Sequence, residues 1–257
     1  MINYKKDLKN YGVVFLPKIF SNTDINKAKE NLWEVIKGNY ETNVEPENRF
    51  WDVGDDPMKI IKIDKPHVCN SVLYNLITNK SFGRKLAEIT NSKKIQVWHS
   101  QAVWKPAGGG TKGNAGWHRD AQYWPFWSSK GLYTAWIALS DVKINSGPVQ
   151  FISKSNSWSS LDNLDFFDKK IMDQIKIIKK YHKNIKIIYS LINKGQISIH
   201  DALTYHSSGP NESNNPRIGL VVHFRNEKSK RKKTSKEYLT YLNQLKDYSR
   251  CPIIYEV

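Results

Sequence analysis

Short stretches in which apolar and polar positions alternate recur along this 257-residue chain. Such alternation is typical of half-buried strands, because successive side chains point to opposite faces of a sheet. The clearest stretch runs over Lys94–Lys105. One face of it is predicted to carry Ile95, Val97, His99, Gln101 and Val103. Further strands are predicted over residues 12–17, 58–63, 133–139, 147–152, 185–191, 196–200 and 217–224.

Helical spacing replaces alternation near the N-terminus. Ser21 and Asp24 resemble a capping box, and the apolar residues that follow recur every three or four positions until Gly38. Two more helical stretches are predicted near residues 72–77 and 86–89, and residues 161–181 are interpreted as helical or as a lid-like insertion. The pattern predicts a mainly β fold with flanking helices and a double-stranded β-helix core, that is, a cupin-like jelly roll. We expect one domain over residues 1–257, with its core at about 12–225 and a basic C-terminal segment at 226–257.

Composition changes this picture little. The apolar fraction of 39% is that of a folded chain, and no apolar run approaches the roughly 20 residues that span a bilayer. The N-terminus lacks the pattern of a secretory signal, and the two cysteines do not form a disulfide framework, so a cytoplasmic location is expected. The net charge of +16 would attract polyanions, although a solvated lysine surface explains it more simply. Nothing in the sequence indicates the oligomeric state.

The candidate chemistry is concentrated in two segments. His118 and Asp120, two residues apart on a predicted extended strand, would point to the same side. With His206 they would form the two-histidine, one-carboxylate set that selects non-haem Fe(II). Arg217 follows His206 by eleven residues, and an arginine can bind a carboxylate through two hydrogen bonds. Gly219, on the same strand face, would leave room beside a ligand. Two other histidines, at positions 200 and 223, are interpreted as core residues or as neighbours of the ligands, and His99 is interpreted as a satisfied buried histidine in preference to one that faces the cavity.

Four motifs extend this interpretation: WHRD with YxPF at 117–126, TAWIALxD at 134–141, NxGP at 145–148, and HSSGPN at 206–211 followed by Pro-Arg. In this order they resemble the phytanoyl-CoA dioxygenase family, over residues 12 to about 225. The resemblance implies a jelly roll, Fe(II), 2-oxoglutarate and O₂. It also implies, as the usual reaction, hydroxylation of a small molecule with release of succinate and CO₂, while desaturation, ring formation and oxidation at C–P or C–N bonds stay open because the same iron centre supports them.

The resemblance also implies roles for individual residues. It makes His118, Asp120 and His206 the iron ligands and Arg217 the partner of the distal carboxylate of 2-oxoglutarate. No catalytic residue beyond the iron ligands is implied. Co-substrate contacts are implied for Lys62, Gln101, Trp136 and Thr134. The carboxylate at position 120 argues against halogenation, because related halogenases replace it with a small residue.

Substrate contacts are less defined by the sequence. The aromatic residues Tyr123, Trp124 and Phe126 are interpreted either as lining the substrate mouth or as core. The net charge favours an anionic substrate. The alternative to an enzyme is a non-catalytic jelly-roll protein that binds nucleic acid or another surface through its basic residues. The basic run at 228–236 lacks interleaved aromatic residues, so a solvated linker or lid is favoured there and nucleic-acid binding is not expected.

Overall fold

A computed structural model describes residues 3–257 as two antiparallel sheets with helices around them. The strands are β1 (Val13–Leu16), β2 (Asn48–Arg49), β3 (Ile61–Asp64), β4 (Lys94–Lys105), β5 (Ala115–His118), β6 (Leu132–Ala138), β7 (Val149–Ile152), β8 (Ile187–Tyr189), β9 (Ile197–Asp201), β10 (His206–Ser208), β11 (Arg217–Asn226) and β12 (Ile253–Glu256). The helices are α1 (Tyr4–Tyr11), α2 (Asn22–Lys37), α3 (Ser71–Ile77), α4 (Lys80–Thr90), α5 (Ile171–Tyr181) and α6 (Leu239–Asn243).

The order of the strands is that of a jelly roll. The larger sheet runs β1-β9-β6-β11-β4-β3-β2, with β12 also paired to β4, and the smaller sheet runs β5-β10-β7-β8. Most neighbours within a sheet are far apart in sequence, because the chain passes back and forth between the two sheets. This arrangement confirms the predicted mainly β fold and its double-stranded β-helix core.

The main apolar core lies between the larger sheet and helices α1–α4. Helix α2 begins and ends as predicted. At its start, Ser21 Oγ accepts the Asp24 N–H at 3.1 Å and Asp24 Oδ2 accepts the Ser21 N–H at 3.3 Å. At its end, Gly38 adopts the left-handed region. Strand β11 turns alternate residues, from Ile218 to Phe224, into this core. Its other residues, beginning with Arg217, therefore face the space between the sheets.

Strand β4 contains a bulge at Trp98. Val97 pairs with Phe224 and His99 pairs with His223, which leaves Trp98 as an extra residue on its strand. The prediction that residues 95–103 keep one continuous alternation is therefore wrong. Val97 lies in the main core, whereas Trp98 and His99 both face the cavity between the sheets.

Several other boundaries differ from the predictions. Strand β3 covers residues 61–64 instead of 58–63, and only the second half of 161–181 is helical. The extended strand predicted to carry both His118 and Asp120 ends at His118, and a 3-10 helix begins at Asp120. The intervening Arg119 keeps an extended backbone, so the two side chains still point the same way. The predictions did not include α1, β2, β10, α6 or β12.

The C-terminal segment folds back onto the larger sheet. Leu242 and Leu245 pack in an aromatic cluster with Trp98 and Phe126, and β12 then adds to the sheet edge at β4. The residues after the basic run at 228–236 are therefore docked on the sheet, whereas the lysines of the run itself are exposed, as predicted for a solvated linker or lid. Within residues 3–257 no helix combines the length and apolar character needed to cross a bilayer.

Candidate active site

Three side chains converge at one end of the smaller sheet. The pairing of β10 with β5 sets His206 opposite His118, with ring centroids 4.1 Å apart. Asp120 Oδ1 lies 3.9 Å from Nε2 of His118 and 3.6 Å from Nε2 of His206. One donor atom from each residue falls within 4.8 Å of the other two, and all three residues are buried. Two imidazole nitrogens and one carboxylate oxygen on one side of a point suit a divalent transition metal.

Hydrogen bonds around the three residues fix which atoms are free. His118 Nδ1 donates to the Gly116 carbonyl at 2.7 Å and His206 Nδ1 donates to the Thr204 carbonyl at 3.0 Å, which leaves both Nε2 lone pairs directed at the shared space. Asp120 Oδ2 accepts the hydroxyl of Thr134 at 2.5 Å. The same oxygen accepts the ring N–H of His200 at 3.0 Å. Only Oδ1 of the carboxylate is left for a metal.

The electrostatics agree with this assignment. Burial lowers the pKa of His118 and holds the pKa of His206 well below its ordinary value. Burial alone would raise the pKa of Asp120, but the neighbouring His206 and His200 keep it well below the usual range. At neutral pH the set therefore consists of two neutral imidazoles and a carboxylate, which are the protonation states that metal binding requires.

An inner cavity extends from these residues between the two sheets and reaches Arg217. Arg217 is 2% exposed, and its Nε and Nη1 have no hydrogen-bond partner among the described residues. Burial lowers its pKa to about 10, so the guanidinium keeps its charge at neutral pH. Its Cζ lies 5.2 Å from the centroid of the Trp136 ring. A buried cation with free donors is suited to a carboxylate ligand.

A second basic side chain, that of Lys105, lies on the strand next to Arg217. Lys105 is fully buried and pairs across the strands with Arg217. Its ammonium donates to Ser208 Oγ and to the Gly209 carbonyl. Burial, and then the charge of Arg217, hold the pKa of Lys105 well below its ordinary value. Because the lysine donates to the Ser208 oxygen, the hydroxyl hydrogen of Ser208 is free to point into the cavity.

A larger outer chamber meets the inner cavity at His118 and Asp120. Its volume is about 260 Å³, compared with about 90 Å³ for the inner cavity. Aromatic side chains from five separate segments form most of its wall. One of these segments is the loop before α5, which brings Phe166 within 5.1 Å of the His118 ring. Gly116 allows this approach, since a Cβ there would lie 2.1 Å from the Asp165 carbonyl oxygen.

Comparison with known proteins agrees with the fold. The structure of the α-ketoglutarate-dependent carbocyclase SnoK from nogalamycin biosynthesis matches with a TM-score of 0.71 at 17% identity, over 92% of this chain and 88% of that one. The iron-bound structure of EctD from S. alaskensis matches with a TM-score of 0.70 at 16% identity, over 89% of this chain and 78% of that one. At such identity the likeness shows a shared jelly-roll fold.

The family model for phytanoyl-CoA dioxygenase (PhyH) matches residues 9–219, which is most of the chain. This chain belongs to the PhyH family. Peroxisomal phytanoyl-CoA dioxygenase from Bos taurus is 25% identical over 143 residues, and the Homo sapiens protein is 24% identical over the same length. The aligned part covers 54% of this chain and 42% of each relative. The resemblance inferred from the motifs is thereby confirmed.

The residues predicted for the site come together around the two chambers. Lys62 and Gln101 line both chambers, and Trp136 lines the inner one. Thr134 also borders the inner cavity, but its hydroxyl is engaged with Asp120. Tyr123, Trp124 and Phe126 line the outer chamber, and all three also contribute to the aromatic cluster, so the two interpretations of these residues coexist.

Two details of the predicted PhyH site need correction. The space beside Gly219 is filled by the Trp136 indole, whose Cζ2 would lie 2.2 Å from a Cβ at that position. The glycine therefore makes room for a side chain rather than directly for a ligand. His99, interpreted from the sequence as a satisfied core residue, faces the outer chamber and has no partner at Nδ1 among the described residues. His200 and His223 surround Asp120 as expected, with His223 Nδ1 2.9 Å from Thr134 Oγ1.

Among the site residues that sequence reasoning missed are Lys105, Asp64 and Phe166. Lys105 lies four positions after Gln101, and Asp64 lies two positions after Lys62. Each therefore shares a strand face with a predicted site residue, so the alternation contained a signal for both. Phe166 lies in a loop with no periodic pattern, and only the tertiary structure brings it to the chamber.

Proposed function

We propose that this chain is a non-haem Fe(II)- and 2-oxoglutarate-dependent oxygenase that hydroxylates a small molecule with release of succinate and CO₂. One observation carries the proposal. A buried His118–Asp120–His206 set with three free donor atoms lies at one end of a cavity. The guanidinium of Arg217, whose Nε and Nη1 have no partner among residues 3–257, lies in the same cavity. Membership of the PhyH family supports the same activity. We also propose that residues 1–257 act as one domain.

The donor atoms fit the implied iron. Nε2 of His118, Nε2 of His206 and Oδ1 of Asp120 would hold it on one face, which leaves the opposite face to ligands that exchange. Bound Fe(II) with 2-oxoglutarate would supply the oxidation of a C–H bond by O₂. Thr134 and His200 hold Oδ2 of Asp120, so that its carboxylate presents a single oxygen.

The remaining residues would bind the co-substrate and shield the reacting groups from water. Arg217 would hold the distal carboxylate of 2-oxoglutarate, with the Trp136 ring beneath the guanidinium and the Ser208 hydroxyl beside it. Lys62 and Gln101, where the two chambers meet, would contact the co-substrate from the other side. Phenylalanine and tryptophan side chains around the outer chamber would exclude water from the reacting groups.

The substrate itself is proposed only as a class. The outer chamber is of a size for a small molecule, and Tyr123, Trp124 and Phe126 are proposed to contact it. The net charge of the whole molecule led us to expect an anionic substrate, and this stays a prediction. The two cysteines are buried and unbridged, which supports the expected cytoplasmic location; this also stays a prediction.

The first test is an anaerobic titration of the purified chain with Fe(II) and 2-oxoglutarate, followed by visible absorbance. We expect a charge-transfer band that is lost in His118→Ala. In Arg217→Ala the band should require about ten- to a hundredfold more 2-oxoglutarate, because charge-assisted hydrogen bonds are lost. Arg84→Ala, at an exposed position on α4, is the matched control and should behave as the parent chain.

The contrary result is equally clear. A folded chain that gives no band and no succinate would contradict the oxygenase proposal. Salt-sensitive retention on DNA by that same chain would favour the non-catalytic alternative, since the basic residues would then act by charge alone.

A further inference from the structure

Strand β3 directs a cation and an anion into the outer chamber. Ile61 and Ile63 point into the main core, so Lys62 and Asp64 face the opposite way, two positions apart on one strand. They do not form an ion pair with each other. Lys62 Nζ instead lies over the Phe50 ring, 4.4 Å from its centroid.

Asp64 is a buried carboxylate without a cationic lysine or arginine partner among the described residues. Its Oδ1 accepts the Gln101 amide at 3.0 Å and lies 3.4 Å from His99 Nε2. Its Oδ2 has only the Asn48 amide, at a long 3.4 Å. Burial would raise the pKa of Asp64, but the contacts with His99 and then Lys62 lower it to about 2, so the group is ionised. A buried carboxylate with an under-used oxygen is costly unless a ligand completes its bonding.

Aromatic rings surround this carboxylate. Tyr241 and Trp98 reach the same chamber from the C-terminal segment and from the β4 bulge, and their ring centroids are 6.5 Å apart at an angle of 81°. Phe50 lies on the strand side of the chamber. The faces of such rings attract cations, most strongly where water is excluded. The chamber thus combines an anion with several aromatic rings, a combination that suits an organic cation.

We propose that the outer chamber selects substrates that carry a cationic nitrogen, with this group held by the Asp64 carboxylate against the rings of Tyr241 and Trp98. The inference rests on the proposed function, because the chamber serves as the substrate site only if the neighbouring His118 and Asp120 bind the iron. It makes Asp64 the specificity-determining residue. The positive charge of the whole molecule lies largely on its surface, whereas this site depends on the charges inside the chamber.

The test measures binding without turnover, so that its outcome is independent of the iron. Trp98 and Trp124 line the chamber, and the quenching of tryptophan fluorescence in the full chain reports occupancy. The probes are benzyltrimethylammonium, benzylammonium, benzyl alcohol and benzoate, which share a ring and differ in charge. We expect both cations to bind at least about tenfold more tightly than the other two. A preference for benzylammonium over the quaternary ion would indicate donation of a hydrogen bond to Oδ2.

Two variants and a control separate recognition from folding. Asp64→Asn should abolish the preference for cations by weakening their binding about ten- to a hundredfold. Asp173→Asn removes the same charge from an exposed position on α5 and should change nothing. If Asp64→Asn does not fold, Tyr241→Leu decides: it should weaken the binding of benzyltrimethylammonium severalfold while benzyl alcohol binds as before.

The outcomes distinguish the two proposals. Tighter binding of benzoate than of either cation, or an unchanged preference in a folded Asp64→Asn chain, overturns this inference. A charge-transfer band with no preference for cations would contradict only the cation site. A preference for cations without any band would support the cation site and contradict the oxygenase proposal.

Discussion

At the scale of single residues, buried charges decide how stability depends on pH. Asp201 ends β9, and its Oδ1 accepts the Leu203 N–H at 2.9 Å. Burial raises its pKa from 3.8 to about 6. Since the folded state binds this proton more tightly than the unfolded state, stability falls as pH rises from about 3.8 to 6, and the loss is complete above pH 6.

Asp201→Asn should therefore stabilise the protein where the carboxylate is charged. An amide oxygen can still accept the Leu203 N–H, and the buried charge is removed. We expect the free energy of unfolding to rise by about 1 to 2 kcal/mol at pH 7.5 and to change little at pH 4. Urea unfolding at both pH values measures it, with Asp173→Asn as the exposed control. An equal effect at the two pH values would contradict the assigned pKa.

At the scale of secondary-structure elements, the pairing of β6 with β11 shapes the inner cavity. Val221 pairs with Trp136 and Gly219 with Ala138, so the Trp136 indole can lie over the glycine. The same indole supports the guanidinium of Arg217. Gly219, which has no side chain, thus leaves room for the Trp136 ring of the neighbouring strand. That ring borders the inner cavity.

Gly219→Ala should displace the indole and weaken the binding of 2-oxoglutarate. Overpacking of this kind costs about 1 to 3 kcal/mol, which corresponds to roughly tenfold or more in affinity if the strain is relieved at Trp136. Anaerobic calorimetry with Fe(II) and 2-oxoglutarate measures the change. Gly209→Ala is the control, because a Cβ at that position meets no atom within 4 Å. Equal affinities in the two variants would show that the Trp136 ring does not support the ligand.

At the scale of the whole molecule, the chain beyond β11 completes the outer chamber. Tyr238 and Tyr241 line it, and Leu245 packs at 6% exposure in the cluster around Trp98. The region described from sequence as a basic C-terminal segment thus contributes to the wall of the outer chamber. Its lysines remain at the surface, whereas Tyr238, Tyr241, Leu242 and Leu245 pack inward.

Leu245→Ala tests this docking. Loss of the buried side chain should lower the free energy of unfolding by about 2 to 5 kcal/mol, because a cavity is left that neighbours fill only in part. Leu239→Ala, a change at 41% exposure in the same segment, should cost well under 1 kcal/mol. Chemical denaturation of both variants provides the measurement. Similar small effects would mean that the segment is not part of the cooperative unit.

Local patterns were sufficient for much of this protein. The apolar spacing after Ser21, the alternation along β11 and the order of the motifs predicted a helix, a strand, the jelly roll and the family. The same motifs singled out His118, Asp120 and His206, which the fold brings within metal-binding distance. These features could be predicted from the sequence because periodicity and motif spacing depend only on neighbours in sequence.

The remaining features depend on contacts between distant segments. The bulge at Trp98 exists only relative to the partner strand, and it brings both Trp98 and His99 to the chamber. The burial of the Asp64 carboxylate and of the Lys105 amine, together with their partners, becomes visible only in the folded structure. The sequence by itself thus determined the fold and the candidate metal ligands, whereas the tertiary structure alone decided the shape and charge of the outer chamber, because these arise from side chains that folding brings together.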